Sequence, residues 1–270
     1  MKILLNNIDL NEALYGVSNI GFIPPMGSLH KGHVSLIKRS LRECNKTVVS
    51  IFVNPTQFDN KKDYKIYPKN NKRDLSILKK LNVNFVFLPN KKDIYNSKYL
   101  SIKKLNKKDK ILCAKFRKGH FEGVLDVMDR LTKLIKPQKI YMGEKDYQQL
   151  YLVKKYLEKK YRSKVILCKT IREKNKLALS SRNLHLKKKE IIQAGSIAKN
   201  LLLFKKSLIN KKDFKNAIFL KRKKLEKLFK IKIEYFELRN KYDLKVSKKI
   251  KNSKLFIAYY LNKIRLIDNF

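Results

Sequence analysis

The stretch IGFIPPMGSLHKGH at residues 20–33 decides the fold. Its first four residues are apolar or small and stop at two prolines, which predicts a short buried strand over residues 20–23. After His33, apolar side chains recur every three or four positions, and this spacing predicts a helix over residues 33–44. A strand that leads directly into a helix is the first half of a β-α-β unit.

Strands and helices keep alternating as far as residue 168. The further predicted strands are residues 47–53, 83–88, 140–142 and 164–168, and the further predicted helices are residues 73–81, 123–135 and 146–161. This alternation predicts an α/β fold with a Rossmann-like, doubly wound parallel sheet. In such sheets, ligands bind at the carboxyl ends of the strands, near the point where the strand order switches.

The character of the sequence changes after Arg172. Residues 186–228 are rich in lysine and have helical spacing, and residues 231–238 and 254–258 are predicted strands. We therefore expect two domains: a Rossmann-like domain at residues 1–172 and a smaller C-terminal α+β domain at residues 173–270.

The composition excludes several classes of protein. Hydrophobic residues make up 43% of the 270 residues, which is too many for a disordered chain. The apolar runs are too short to span a membrane, and the first residues lack the apolar region of a signal peptide, so we expect a cytoplasmic protein without a membrane partner. The widely spaced Cys44, Cys113 and Cys168 indicate neither a disulfide framework nor a zinc site.

The charge of the chain raises the question of a nucleic-acid partner. There are 66 Lys and Arg residues against 22 Asp and Glu, a net charge of +44. Most of the excess is lysine, spread along the chain together with many Asn and Ile residues, which is typical of codon bias in an AT-rich genome. We expect no specific nucleic-acid partner. The alternative, a basic RNA- or DNA-binding protein on an old enzyme scaffold, would have clustered arginines and exposed stacking aromatics.

The first polar motif, residues 25–33, follows a predicted strand and opens a predicted helix. His30 and His33 are three residues apart and lie on one face of the first helical turn. The first N–H groups of a helix are unpaired and favour an anion, and Gly32 allows a ligand to approach the backbone closely. The motif therefore predicts a phosphate cradle with two imidazoles that can neutralise a triphosphate.

Four further polar clusters follow along the chain, three of them at or just after a predicted strand. They are SIFVNPTQF at residues 50–58, FRKGHFEG at 116–123, YMGEKDYQQ at 141–149, and IRE at 171–173 together with LALSSRN at 177–183. The amides of Asn54 and Gln57 suit the recognition of hydroxyls and carboxylates.

These five clusters, in this order, resemble the pantothenate synthetase (pantoate–β-alanine ligase) family over nearly the whole chain, and residues 255–258 and 265–269 resemble its C-terminal stretch. H-x-G-H alone would indicate only the wider nucleotidyltransferase-like superfamily. The resemblance implies that pantoate attacks the α-phosphate of ATP, giving pantoyl adenylate and pyrophosphate. The amine of β-alanine then attacks the acyl carbon and releases AMP and pantothenate, the precursor of coenzyme A.

The resemblance also implies partners: Mg²⁺ that accompanies ATP, and a homodimer built through the N-terminal domain. An alternative enzyme is another H-x-G-H adenylyltransferase with a different acceptor. The pair Gln57 and Gln149 and the C-terminal domain argue against it.

The resemblance implies the following site residues. His33, as proton donor, His30 and Lys145 would be catalytic, and Gln57 and Gln149 would bind pantoate, the first also contacting β-alanine. The positions that match the ATP site are Met26, Gly27, Ser28, Leu29, His30, Lys31, Gly32, His33, Gly143, Glu144, Lys145, Asp146, Ile171, Leu179, Ser180, Ser181 and Arg182.

Further matched positions near the site are Asn54, Tyr67, Arg117 and His120. Where the family tends to carry two neighbouring acidic residues, this chain has Arg73 and Asp74. Asp74 is therefore the one predicted metal ligand, and a magnesium ion held by the protein is in doubt.

Overall fold

The computed structural model describes residues 1–59, 61–95, 104–210 and 213–270. The chain divides into two compact units, Met1–Lys169 and Thr170–Phe270. The sequence predicts the boundary after Arg172. Residues 211–212, inside the segment predicted to be helical, lie outside the described residues.

The first unit alternates strands and helices, as expected. Its strands are β1 (Lys2–Leu4), β2 (Ile20–Ile23), β3 (Lys46–Ser50), β4 (Phe85–Phe87), β5 (Lys139–Gly143) and β6 (Lys164–Cys168). Its helices are α1 (Asn7–Leu14), α2 (Lys31–Glu43), α3 (Lys61–Ile66), α4 (Asn71–Lys80), α5 (Lys91–Tyr95), α6 (Cys113–Phe116), α7 (His120–Ile135) and α8 (Tyr147–Leu157).

Within the described residues, the six strands of this unit form one parallel sheet in the order β1-β4-β3-β2-β5-β6. The strand order reverses at β2, whose Phe22 lies between Val48 of β3 and Ile140 of β5. The carboxyl ends of β2 and β5 are therefore neighbours, and the crevice beside them is the place where a doubly wound sheet binds its ligand.

Strand β2 lies at the centre of the core. All four of its residues are buried, as expected for a strand covered on both faces. Gly21 lets α2 approach closely, because a Cβ at this position would stand 2.1 Å from Ser40 Oγ and 2.9 Å from Cys44 Sγ. The C-terminal part of α2 is thereby packed against the start of β2.

The second unit is an α+β unit. Its helices α9 (Lys188–Ser207) and α10 (Phe214–Phe229) precede the strands β7 (Lys232–Asn240), β8 (Ser253–Leu261) and β9 (Ile264–Asn269), which form an antiparallel sheet in chain order. Its apolar core joins the two helices to the sheet through residues such as Leu201, Leu225 and Ile257. The predicted fold class, a Rossmann-like parallel sheet with a smaller α+β part, is confirmed.

Several element boundaries differ from the sequence-based expectation. Helix α7 begins at His120 rather than at residue 123, because Gly119 at φ 79° serves as its N-cap and the buried Phe121 already lies on the helix face of Val124 and Leu125. The strand predicted over residues 47–53 ends at Ser50, ahead of the turn at Asn54. The short β1, α1 and the last strand β9 were not predicted as elements.

The described helices include none that is both long and apolar enough to cross a membrane.

Replacing Gly21 by alanine tests the packing of α2 on β2. The added methyl would collide with Ser40 in the helix, so we expect Gly21→Ala to lower the free energy of unfolding by about 1–3 kcal/mol. Chemical denaturation measures the change. Gly143→Ala is the matched control, because no atom lies within 4 Å of its added Cβ. Equal unfolding midpoints for the two variants would contradict this account of the packing.

Candidate active site

The two histidines of the H-x-G-H motif cap helix α2. His30 is the N-cap residue, and its Nδ1 accepts a hydrogen bond from the backbone N–H of Gly32 at 3.1 Å. The Nδ1 of His33 accepts from the backbone N–H of His30 at 3.3 Å. The two rings stack with their centroids 4.0 Å apart. Two backbone N–H groups at the start of the helix are thus satisfied by imidazole nitrogens.

This capping determines the tautomer of both histidines. A nitrogen that accepts a hydrogen bond carries no proton, so each neutral ring has its proton on Nε2. Burial and, after it, the positive charge of Lys145 lower the pKa of His30 to about 4, against an opposing effect of Asp146. Burial and the neighbouring His30 are the main causes that lower the pKa of His33 to about 3. At neutral pH both side chains are therefore uncharged Nε2–H donors.

Lys145 and Asp146 lie in a short turn between β5 and α8. Lys145 is mostly buried, and its Nζ donates to Asp146 Oδ1 at 2.9 Å. The effect of both charges on His30 and His33 places this turn beside the start of α2. The motifs that follow β2 and β5 therefore meet where the strand order switches, as the sequence predicts.

The loop between β2 and α2 is held by Asp74 of α4. Asp74 Oδ2 accepts from the backbone N–H of Ser28 at 2.7 Å, and its Oδ1 accepts from that of Leu29 at 2.8 Å. The loop needs this support, because Gly27 and Ser28 adopt positive φ values of 104° and 53°. Asp74 is fully buried.

These contacts bear on the predicted metal site. Both oxygens of Asp74 accept from backbone donors, so this carboxylate supports the loop, and its role as a magnesium ligand stays a prediction. No group of three or more His, Cys, Asp or Glu side chains suited to a metal ion occurs among the described residues. The described residues therefore offer no dedicated set of three or more such protein ligands for a magnesium ion.

Gln57 lies at the end of a short turn, Pro55–Gln57, that follows β3. Its Oε1 accepts from Asn54 Nδ2 at 3.4 Å, and its Nε2 donates to the sulfur of Met26 at 2.6 Å. The contact with Met26 brings Gln57 to the loop that precedes α2. Gln57 itself is buried.

Asn54 organises this turn from inside. Its Oδ1 accepts from Thr56 and from the hydroxyl of Tyr95, and its Nδ2 donates to the carbonyl of Gly123 at 3.1 Å. Every polar atom of this buried amide has a partner within the protein, so the structure brings Asn54 to the site as a support. Tyr67 packs edge-on against Phe58, just past the same turn.

The neighbours Gln148 and Gln149 differ in their surroundings at the start of α8. Gln148 is buried and donates to the carbonyl of Ile111 at 2.7 Å. Gln149 is half-buried, and its side chain has no hydrogen-bond partner among the described residues. Its amide remains available to a ligand.

The remaining predicted ATP residues lie in the second unit and group together there. The backbone N–H of Leu179 donates to the carbonyl of Ile171, and the hydroxyl of Ser180 caps the short turn Ser181–His185 by accepting from the N–H of Arg182. Arg172, next to Ile171, forms two hydrogen bonds with Asp268 at 2.7 and 2.8 Å.

Sequence reasoning missed Asp59 and the role of Gly123. Asp59 forms an ion pair with Arg117 at 2.8 Å. A Cβ on Gly123 would stand 2.3 Å from the carbonyl oxygen of Thr56 and 2.8 Å from the Cα of Gln57. An isolated acidic residue in a basic chain, directly after the V-N-P-x-Q-F motif, was a signal that could have drawn attention to Asp59.

The fold and this crevice define a Rossmann-like α/β protein with a histidine-capped helix at the switch point, the class that binds nucleotides. The chain belongs to the pantoate–β-alanine ligase family, whose model matches residues 5–270. It is therefore a ligase, and its activity is the ATP-dependent joining of pantoate to β-alanine.

Known relatives resemble this chain over nearly its whole length. It is 40% identical to a pantothenate synthetase of Francisella tularensis subsp. novicida over 263 residues, 97% of this chain and 92% of the relative. It is 38% identical to that of Pseudothermotoga lettingae over 276 residues, 99% and 98% of the two chains.

Solved structures agree with this. The pantothenate synthetase of Thermus thermophilus matches with a TM-score of 0.92 at 30% identity, covering 100% of this chain and 99% of that one. The pantoate–β-alanine ligase of Francisella tularensis, complexed with β-γ ATP and β-alanine, matches with a TM-score of 0.84 at 36% identity, covering 100% and 97%.

Replacing Asp74 by asparagine tests its part in holding the loop. An amide offers one acceptor oxygen, so one buried N–H of Ser28 or Leu29 loses its partner. We expect Asp74→Asn to cost about 1.5–3 kcal/mol of unfolding free energy and to raise the KM for ATP several-fold. The neighbouring exposed Arg73→Ala is the control. An increased Mg²⁺ requirement at an unchanged KM for ATP would instead make Asp74 a magnesium ligand.

The lowered histidine pKa values predict how stability depends on pH. Unfolded histidine keeps its pKa near 6.5, so as the pH falls the unfolded state binds protons first. This contribution to stability is complete above pH 6.5 and is lost as the pH falls through the folded pKa values of about 4 and about 3. We expect the melting temperature of the wild type to fall more between pH 7 and pH 4 than that of His30→Gln/His33→Gln. Parallel curves would contradict the assignment.

Proposed function

We propose that the ligase works in two steps at the crevice beside the ends of β2 and β5. In the first, a carboxylate oxygen of pantoate bonds to the α-phosphorus of ATP, the bond to the bridging oxygen breaks, and pyrophosphate leaves. In the second, the amine of β-alanine bonds to the acyl carbon of pantoyl adenylate, AMP leaves with the bonding electrons, and the amine loses a proton. Pantothenate results. The observation that carries this proposal is the pair of histidines locked as Nε2–H donors at the start of α2.

His30, His33 and Lys145 are the proposed catalytic residues. The first step builds negative charge on the phosphates and the leaving pyrophosphate, and preorganised donors stabilise such charge most when they need not rearrange. Capping holds the two imidazoles in place before ATP arrives. Lys145 adds a full positive charge from the adjacent turn. His33, predicted as the proton donor, fits this as a donor of a hydrogen bond from Nε2.

ATP is proposed to bind along Met26–His33 and the turn Gly143–Asp146. The N-terminus of α2 supplies the positive end of a helix dipole to a phosphate, and the Nε2–H groups of His30 and His33 supply donors. ATP binding by Ile171 and by residues 179–182 stays a prediction from the resemblance.

Gln57 and Gln149 are proposed to bind pantoate, and Gln57 also β-alanine. Gln149 supports this through an amide with no partner among the described residues, and Gln57 through its contact with Met26 of the nucleotide loop. Two amides holding the hydroxyls and carboxylate of pantoate would keep its reacting oxygen close to the α-phosphorus.

Mg²⁺ and a second subunit complete the proposal. We propose that Mg²⁺ arrives with ATP and is held mainly by phosphate and water oxygens, since no group of three or more His, Cys, Asp or Glu side chains suited to a metal ion occurs among the described residues. We also propose a homodimer built through the first unit, where Ile8 and Tyr15 of the α1 region are strongly exposed. Light scattering measures the mass in solution. The cytoplasmic location stays a prediction from the sequence.

Measuring AMP and pyrophosphate release tests the mechanism. With ATP and Mg²⁺, we expect steady AMP formation only when pantoate and β-alanine are both present, and with pantoate alone at most one pyrophosphate per site. His33→Ala should lower kcat by about 10²–10³-fold, the loss typical of one donor to developing charge. The control is Lys38→Ala, an exposed position on the same helix. AMP release with β-alanine alone, or full activity in His33→Ala, would contradict the proposal.

A further inference from the structure

His120 connects a buried arginine to the backbone of Gln57. One guanidinium nitrogen of Arg117 lies 2.8 Å from His120 Nε2, and His120 Nδ1 lies 2.6 Å from the carbonyl oxygen of Gln57. A guanidinium only donates, so Nε2 accepts and the ring proton sits on Nδ1, which donates to Gln57. Arg117 thereby selects the tautomer that bonds Gln57.

Asp59 balances the charge of Arg117. Its Oδ1 accepts from Arg117 Nε at 3.0 Å and from a terminal guanidinium nitrogen at 2.8 Å. Burial pushes the pKa of Asp59 upward, but the hydrogen bonds and charge of Arg117 outweigh it and lower the pKa. The carboxylate therefore stays ionised beside a buried cation, which would otherwise lack compensation.

The backbone around His120 is built for close approach to Gln57. Gly119 adopts φ 79°, which starts α7 at His120 and puts this ring in the first turn of the helix. The hydrogen in place of a Cβ on Gly123 lets the helix pack against Thr56 and Gln57. Gln57 is thus held at its carbonyl by His120, at its Cα by Gly123 and at its side-chain oxygen by Asn54.

We propose that Asp59, Arg117 and His120 form a positioning chain for Gln57 and do not contact the substrates. The proposal rests on the proposed role of Gln57 in pantoate binding. Arg117 and His120 are each only 8% exposed. Both ring nitrogens of His120 and all three guanidinium nitrogens of Arg117 already have partners in the protein. This positioning chain orients the side-chain amide of Gln57 that binds pantoate. Loss of the positioning chain weakens pantoate binding and leaves ATP binding unchanged.

Two substitutions of His120 separate its ring nitrogens. In His120→Asn, the amide nitrogen occupies the place of Nδ1 and can still donate to the carbonyl of Gln57. In His120→Gln, the amide reaches the place of Nε2 and loses that donor. We expect the KM for pantoate to stay within about 3-fold of wild type in His120→Asn and to rise about 10-fold in His120→Gln and His120→Ala, the effect of one buried hydrogen bond. The KM for ATP should change less than 2-fold in all three.

Asp59→Asn tests the Asp59 end of the positioning chain and leaves His120 unchanged. We expect a smaller rise in the KM for pantoate, about 3-fold, because Arg117 keeps its place but loses its counter-charge. Lys118→Ala, an exposed neighbour in the same segment, is the control and should leave every constant unchanged. Thermal melts of each variant report whether it folds. If a His120 variant does not fold, Asp59→Asn still tests the proposal.

A double-mutant cycle with Gln57→Ala identifies which proposal fails. If His120 acts only through Gln57, adding His120→Ala to Gln57→Ala causes no further rise in the KM for pantoate. Additive effects, equal effects of the Asn and Gln substitutions, or a matching rise in the KM for ATP would overturn the positioning chain. An unchanged KM for pantoate in Gln57→Ala alone would overturn the proposed role of Gln57 itself.

Discussion

The unpaired N–H groups at the start of α2 are the constraint on which the site depends. Every helix leaves such groups open, and here two imidazole nitrogens close two of them. Because those nitrogens accept, the protons of both rings must sit on Nε2. The two capping hydrogen bonds therefore fix the geometry of the helix start and the tautomers of the two proposed catalytic side chains, while burial keeps both rings neutral at physiological pH.

The loops around this helix are held in the same way, each by a buried polar group from a distant part of the chain. Asp74 of α4 holds the backbone of the loop before α2, and His120 of α7 holds the carbonyl of Gln57 after β3. Loops at the carboxyl ends of parallel strands lack regular partners for their N–H and C=O groups, and a buried side chain supplies them. Side chains that resemble ligand-binding residues in the sequence are thereby part of the scaffold.

The sequence predicts the sheet well because hydrophobic periodicity, and the prolines and glycines that end strands and helices, are local signals. Strand β2 and strand β6 were predicted with the observed bounds, and the motifs after β2 and β5 meet as expected. The first turn of α7 was missed because the sequence interpretation began the helix at Gly123, although Phe121 is in helical register with Val124 and Leu125, and the left-handed Gly119 starts the helix at His120. The roles of Asp74 and Asp59 could not be predicted because each depends on a partner more than 40 residues away in the chain.

Four of the 22 Asp and Glu residues lie inside the protein. Asp74, Asp109, Asp129 and Asp268 are buried and each accepts at least two hydrogen bonds. Removing an acid from such a place leaves a buried cation or backbone donor without a partner, a loss of several kcal/mol, of the order of 3–5 kcal/mol for a buried ion pair. An exposed acid can be replaced by lysine at almost no cost to folding. An excess of lysine can therefore accumulate on the surface while these internal polar contacts, among them the one between Asp74 and the loop before α2, keep their acids.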